Sequence, residues 1–237
     1  MGEAATVALL TLAAGAMMVT GAALAHVRLF GDKPWRADFR HGVVAFGGGA
    51  LLAAVALVLA PEGSRELPIW GVVLSMSGGG VAFMLLSRWL DKSQRPAGQL
   101  AAMLADFLPE ALALGAAFAR GDSSGPLLAL LIGLQNLPEG FNAYREMVAE
   151  GPMSAKLVLW SFAAMALLGP AAGLTGLWLL SDMRQTVAVI MLVAASGILY
   201  LTFEDIAPGV PLKNDWIPPL GAVAGFLFGL IGHMVIG

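Results

Sequence analysis

Cysteine is absent from this 237-residue chain, which excludes disulfides, thiolate metal sites and dithiol redox chemistry. Charge is scarce too. Only 12% of the residues are Asp, Glu, Lys or Arg, about half the share of an ordinary soluble domain, so a large soluble core is not what this composition describes. Catalytic patterns are missing: there is no Ser-His-Asp set, no zinc-protease pair and no nucleotide motif. Gly47-Gly48-Gly49 and Gly78-Gly79-Gly80 are not followed by Lys-Ser/Thr, so they read as small-residue packing surfaces and not as phosphate loops. We expect no enzyme and no permanently bound cofactor. The bases are scattered among short loops and make no nucleic-acid patch.

Apolar residues are abundant, at 58%, and there are 30 glycines, a combination suited to close helix packing in a bilayer. A spanning helix needs about 20 predominantly apolar residues. Eight segments qualify: 4–27, 42–60, 69–90, 99–119, 126–147, 156–180, 186–206 and 217–236. The first lacks a basic n-region and is long enough to span, so it reads as a membrane helix and not a signal peptide. The connections are short and polar, with Pro or Gly at most boundaries, and residues 1–237 therefore form a single polytopic domain. We expect an all-α membrane protein in the inner or plasma membrane.

Orientation follows from the basic residues. Arg28, Lys33, Arg36, Arg40, Arg88, Lys92, Arg95, Arg145, Lys156 and Lys213 fall on one side; Arg65, Arg120 and Arg184 fall on the other. The richer side is expected to be cytoplasmic, with both termini extracytoplasmic. An internal repeat is also visible. Phe46-Gly47-Gly48-Gly49-Ala50-Leu51-Leu52, ahead of Ala60-Pro61, registers at an offset of 147 with Val193-Ala194-Ala195-Ser196-Gly197-Ile198-Leu199, ahead of Ala207-Pro208. Segments 1–3 and 6–8 would then be inverted repeats flanking segments 4 and 5, a 3+2+3 arrangement known from transporters. Gly- and Ala-rich helices also resemble one another by composition alone.

Segments 4 and 5 carry near copies of one polar insertion, Asp106-Phe107-Leu108-Pro109-Glu110-Ala111 and Gln135-Asn136-Leu137-Pro138-Glu139-Gly140. Ionisable groups at mid-membrane depth are costly and usually functional. Residues at i and i+4 share a helix face, so Asp106 pairs with Glu110 and Gln135 with Glu139. Pro109 and Pro138 each remove a backbone donor and free the carbonyl four residues earlier. Glu110 precedes Arg120 by ten residues, about 15 Å of helix, and Glu139 lies a similar distance beyond the same short turn. The two motifs can therefore meet near mid-membrane as a cluster of Asp106, Glu110, Gln135, Asn136 and Glu139. Hard divalent cations take such carboxylate and amide oxygens. Three apposed acids repel, so one is expected to hold a proton until a cation binds. Polar glue between kinked helices is the alternative, but glue needs Asn, Gln or Ser and not three acids.

These residues resemble the ZIP (Zrt/Irt-like) family of metal-ion transporters, whose fourth and fifth helices carry His-Asn-x-Pro-Glu-Gly type motifs. Pro109-Glu110 and Asn136-Leu137-Pro138-Glu139-Gly140 are the matches, and Tyr200 to Pro208 resembles the family's seventh helix. The resemblance implies uptake of a divalent metal such as zinc, manganese or iron into the cytoplasm. It also implies a primary site with Glu110 and Glu139 as core glutamates, Asp106 and Gln135 at the first motif positions and Asn136 at the second. It further implies that helices 1, 4, 5 and 6 slide against 2, 3, 7 and 8, that Glu204 and Asp205 serve as an exit relay, and that a homodimer can form. The relay reading stands beside a plain interfacial carboxylate pair.

Three positions depart from the family pattern. Asp106 stands where histidine is common, Phe107 where asparagine is frequent, and Gly169 precedes Pro170 where a glutamate often does. The last two weaken a second metal position. An oxygen-only set is harder than one with imidazole, which shifts the expected preference toward manganese or ferrous iron. Two other functions fit the same residues: a proton-coupled transporter of another solute, with pH-dependent and metal-insensitive uptake, and a non-transporting membrane scaffold that binds metal without flux.

Overall fold

The computed structural model describes residues 2–27, 35–93, 96–119, 121, 124–148, 151–180, 182–208 and 216–236. Arg28, Lys33, Arg95, Arg120, Asp122 and Lys213 lie outside them, as do the side chains of Arg36, Arg40, Lys92 and Asp205.

Every element among the described residues is helical. The helices are α1 (Glu3–His26), α2 (Trp35–Ala54), α3 (Ala60–Arg65), α4 (Ile69–Ser93), α5 (Pro96–Ala119), α6 (Ser124–Val148), α7 (Ala155–Leu179), α8 (Arg184–Leu201) and α9 (Ile217–Ile236). A π-helical turn, Val55–Leu59, joins α2 to α3, and a second, Thr202–Ile206, extends α8. Pro61 had marked a helix end in the sequence, yet the rod runs on to Arg65. The wider π turn accommodates the ring, and the Ala60 N–H donates to the Val55 carbonyl five residues back. Ala207 donates to Thr202 in the same way just before Pro208. The two π turns begin at 55 and 202, which are 147 residues apart.

Seven helical stretches among the described residues are long and apolar enough to cross a membrane: Glu3–His26, His41–Arg65, Ile69–Trp89, Leu100–Ala119, Ala155–Leu179, Arg184–Glu204 and Ile217–Val235. The chain is a multi-pass helical membrane protein. Trp70, Trp89, Trp160, Trp178 and Trp216 are all exposed at or near helix ends, where amphipathic rings meet the headgroups. Helix α6 has 25 residues but does not belong to the apolar set, because Gln135, Asn136, Glu139 and Asn142 interrupt it. Its position explains how it keeps them: α6 packs on α1, α2, α5, α7 and α9.

The contacts sort the helices into two groups. Helices α1, α5, α6 and α7 pack on one another; α2 packs on α9, and α3 and α4 pack on α8. The groups meet where α6 packs on α2 and α9 and where α5 packs on α8 and α4. Close approach depends on glycine. A side chain at Gly140 would run into the Met18 carbonyl of α1, and one at Gly21 into the Leu137 carbonyl of α6. The matched positions Ala14 with Asn136, Met18 with Gly140 and His26 with Tyr144 show α6 lying parallel to α1 along its length.

Candidate functional site

Helix α5 presents Asp106 and Glu110 one turn apart, and α6 presents Gln135 and Glu139 in the same way, as a 3.6-residue repeat requires. Pro109 and Pro138 are accommodated inside continuous helices. Around them the two helices meet. Glu110, with no solvent exposure, accepts two hydrogen bonds from the Gln135 amide nitrogen, 2.8 Å to Oε1 and 2.7 Å to Oε2. Asp106, Gln135 and Asn136 are buried with it, and Glu139 is half-buried. The structure thus brings Gln135 of one motif to Glu110 of the other, while Asn136 turns to α1.

Their oxygens are unequally used. The Asn136 amide nitrogen donates to the Ala14 carbonyl of α1 at 2.9 Å, which fixes its orientation and turns Oδ1 away from that bond. Asp106 Oδ1, Gln135 Oε1 and Asn136 Oδ1 are buried and make no hydrogen bond. Buried polar atoms normally find a partner, so three such oxygens in one pair of motifs are unusual. As they stand, no three His, Asp or Glu side chains among the described residues are gathered into a group that could hold a metal ion. The Gln135 amide, and not a second acid, faces Glu110.

Phe107 faces the other way. Its ring is buried against Gly15 of α1 and Gly169 of α7: a side-chain carbon at either glycine would stand 2.9 Å or 2.7 Å from it. The two departures at Phe107 and Gly169 therefore fit one another, a large side chain filling the space beside a glycine. On the α2 side, Gly47 lies against the Pro138 ring, where an added carbon would stand 2.7 Å from Cγ. A groove of about 510 Å³ between α1 and α7 is lined mainly by alkyl groups, Leu12, Ala16, Val19 and Ala163 among them, and none of the five polar residues borders it.

Two further polar contacts lie outside the motif pair. His26 Nδ1 lies 2.6 Å from the Tyr144 hydroxyl, with the rings edge to face, and links the ends of α1 and α6. Glu204 accepts from Ser87 Oγ at 2.7 Å and from the Tyr200 hydroxyl at 2.8 Å, which ties α4 to the π turn after α8. The Tyr200–Glu204 spacing of four was a usable signal; the Ser87 contact, 117 residues away, had none. Bonds to both carboxylate oxygens give Glu204 a structural task beside the exit-relay reading.

No protein-family model matches the chain, and neither does any curated protein sequence.

Proposed function

We propose that this membrane protein is a ZIP-like transporter that carries a divalent metal ion into the cytoplasm, with Asp106, Glu110, Gln135, Asn136 and Glu139 as the ligand set. One observation carries the reading: Glu110 of α5 and Gln135 of α6 meet in a buried hydrogen bond inside a multi-pass bundle, and three buried oxygens of the two motifs have no hydrogen-bond donor. Acceptor oxygens without donors suit a cation, and an all-oxygen set suits a hard one. Under this proposal α6 is an eighth crossing, which its parallel run beside α1 supports, and both termini lie outside the cytoplasm. The common offset of the two π turns supports inverted repeats. The grouping of α1, α5, α6 and α7 supports their moving together against the remaining helices.

Purified protein in liposomes is expected to admit Mn²⁺ or Fe²⁺ faster than protein-free liposomes do, and to favour them over Zn²⁺. Solute uptake that is indifferent to metal but responsive to pH would point instead to a proton-coupled carrier. Metal binding without flux would point to a scaffold. Metal affinity is expected to fall as the pH drops from about 7 to about 5.5, because protons compete with the cation for apposed carboxylates. Titration calorimetry at the two pH values in buffers of different ionisation enthalpy measures both the affinity and the protons released.

A further inference from the structure

The Gln135 amide nitrogen stands 2.8 Å and 2.7 Å from the two oxygens of Glu110, almost equidistant. That position lies in front of the carboxylate, where a cation held by both oxygens has to stand. A hard dication such as calcium sits there at about 2.3–2.6 Å. The amide turns its NH₂ end to Glu110, whose two oxygens both accept from it. Gln135 Oε1, the other end of the amide, is buried with no donor.

We infer that Gln135 is an internal latch: its amide nitrogen occupies the cation position on Glu110, and a dication enters the carboxylate only by displacing it. The inference rests on the cation-site reading above and adds to it. Once the side chain rotates away, the unpartnered Oε1 can turn toward the ion, so one residue serves first as a competitor and then as a ligand. The neighbouring amide is built differently. Asn136 donates to a backbone carbonyl of another helix and not to a carboxylate, so it stays in place while Gln135 moves. Asp106, whose buried Oδ1 has no hydrogen bond and which lies one helical turn from Glu110 on α5, is placed to hold an arriving cation while the amide leaves.

A latch and a plain ligand differ in kinetics. Removing a latch speeds association, whereas removing a ligand speeds only dissociation. The test uses the full-length protein in lipid nanodiscs with Mn²⁺ as the probe. Association is followed by stopped-flow competition with a Mn²⁺-quenched indicator dye, and dissociation by a chelator chase. Gln135→Ala is expected to raise the association rate about tenfold, the equivalent of one hydrogen bond to a charged group. Gln135→Leu, which keeps more of the side-chain volume, serves if the alanine variant does not fold and is expected to behave alike. An unchanged association rate with faster dissociation overturns the latch but leaves the site standing. Glu110→Ala separates the two claims: Mn²⁺ binding that survives this change, or no binding by the unaltered protein, overturns the site and the latch with it.

Discussion

Metal uptake is expected to fall at least about a hundredfold when Glu110 is replaced by glutamine or alanine, and comparably for Glu139→Ala. A hundredfold is the upper range for losing a group that merely supports a metal ligand, and a ligand itself contributes no less. Glu110 has the larger structural stake because it is fully buried and bonded to Gln135 through both oxygens. Alanine leaves the Gln135 amide without its acceptor, at a cost of about 1–3 kcal/mol. Glutamine keeps the shape and an acceptor oxygen while removing the charge. The informative comparison is therefore Glu110→Gln, assayed for uptake into proteoliposomes beside its thermal midpoint in detergent. Lost uptake with a nearly native midpoint assigns the carboxylate to the cation, whereas wild-type uptake by this variant would defeat the proposed site. Glu139 is half-buried and makes no contact as close as the Gln135–Glu110 pair, so its removal is expected to cost flux with little loss of stability.

A second large effect is expected at the α1–α6 crossing. Gly140→Leu should yield little folded protein, and Gly140→Ala should lower stability by about 1–3 kcal/mol, the usual range for overpacking. At Gly140 the obstacle is the Met18 backbone, and at Gly21 it is the Leu137 carbonyl. Neither can rotate aside as a side chain can. Pushing the helices apart would also stretch the Asn136–Ala14 and His26–Tyr144 bonds, which lie on either side of this contact. Gly78 in α4 is the control, since an added carbon there meets nothing within 4 Å. Gly78→Ala should be neutral or mildly stabilising, as helix propensity favours alanine. Size-exclusion profiles and thermal unfolding of the three variants measure this. Gly140→Leu protein as stable as the parent would mean that the two helices do not pack as described.

Much of the architecture could be read from local pattern. Apolar runs and their Pro/Gly boundaries placed most helices within a few residues of where they lie, the exception being the second, which was read as 42–60 and runs from Trp35 to Arg65. The i, i+4 spacing put Asp106 with Glu110 and Gln135 with Glu139, because helix periodicity is a property of the backbone and needs no partner. Local pattern misjudged Pro61, since a proline reads as a stop unless the turn before it widens, and that widening depends on what the rod packs against. Composition alone separates α6 from the seven apolar stretches, because its centre is polar. Its shelter inside the bundle, and not its composition, is what lets those residues stay.

What the sequence determined by itself, then, was which side chains share a helix face and how deep along each helix they lie. Only the tertiary structure decided how far each helix rotates about its axis. That rotation is set by backbone contacts between segments more than a hundred residues apart, such as Met18 on Gly140 and Asn136 on Ala14. It turned Phe107 toward Gly169, and it brought the Gln135 amide, out of the five polar residues of the two motifs, onto Glu110. Spacing along one helix is local and periodic, whereas the choice of neighbour depends on close packing across the whole bundle.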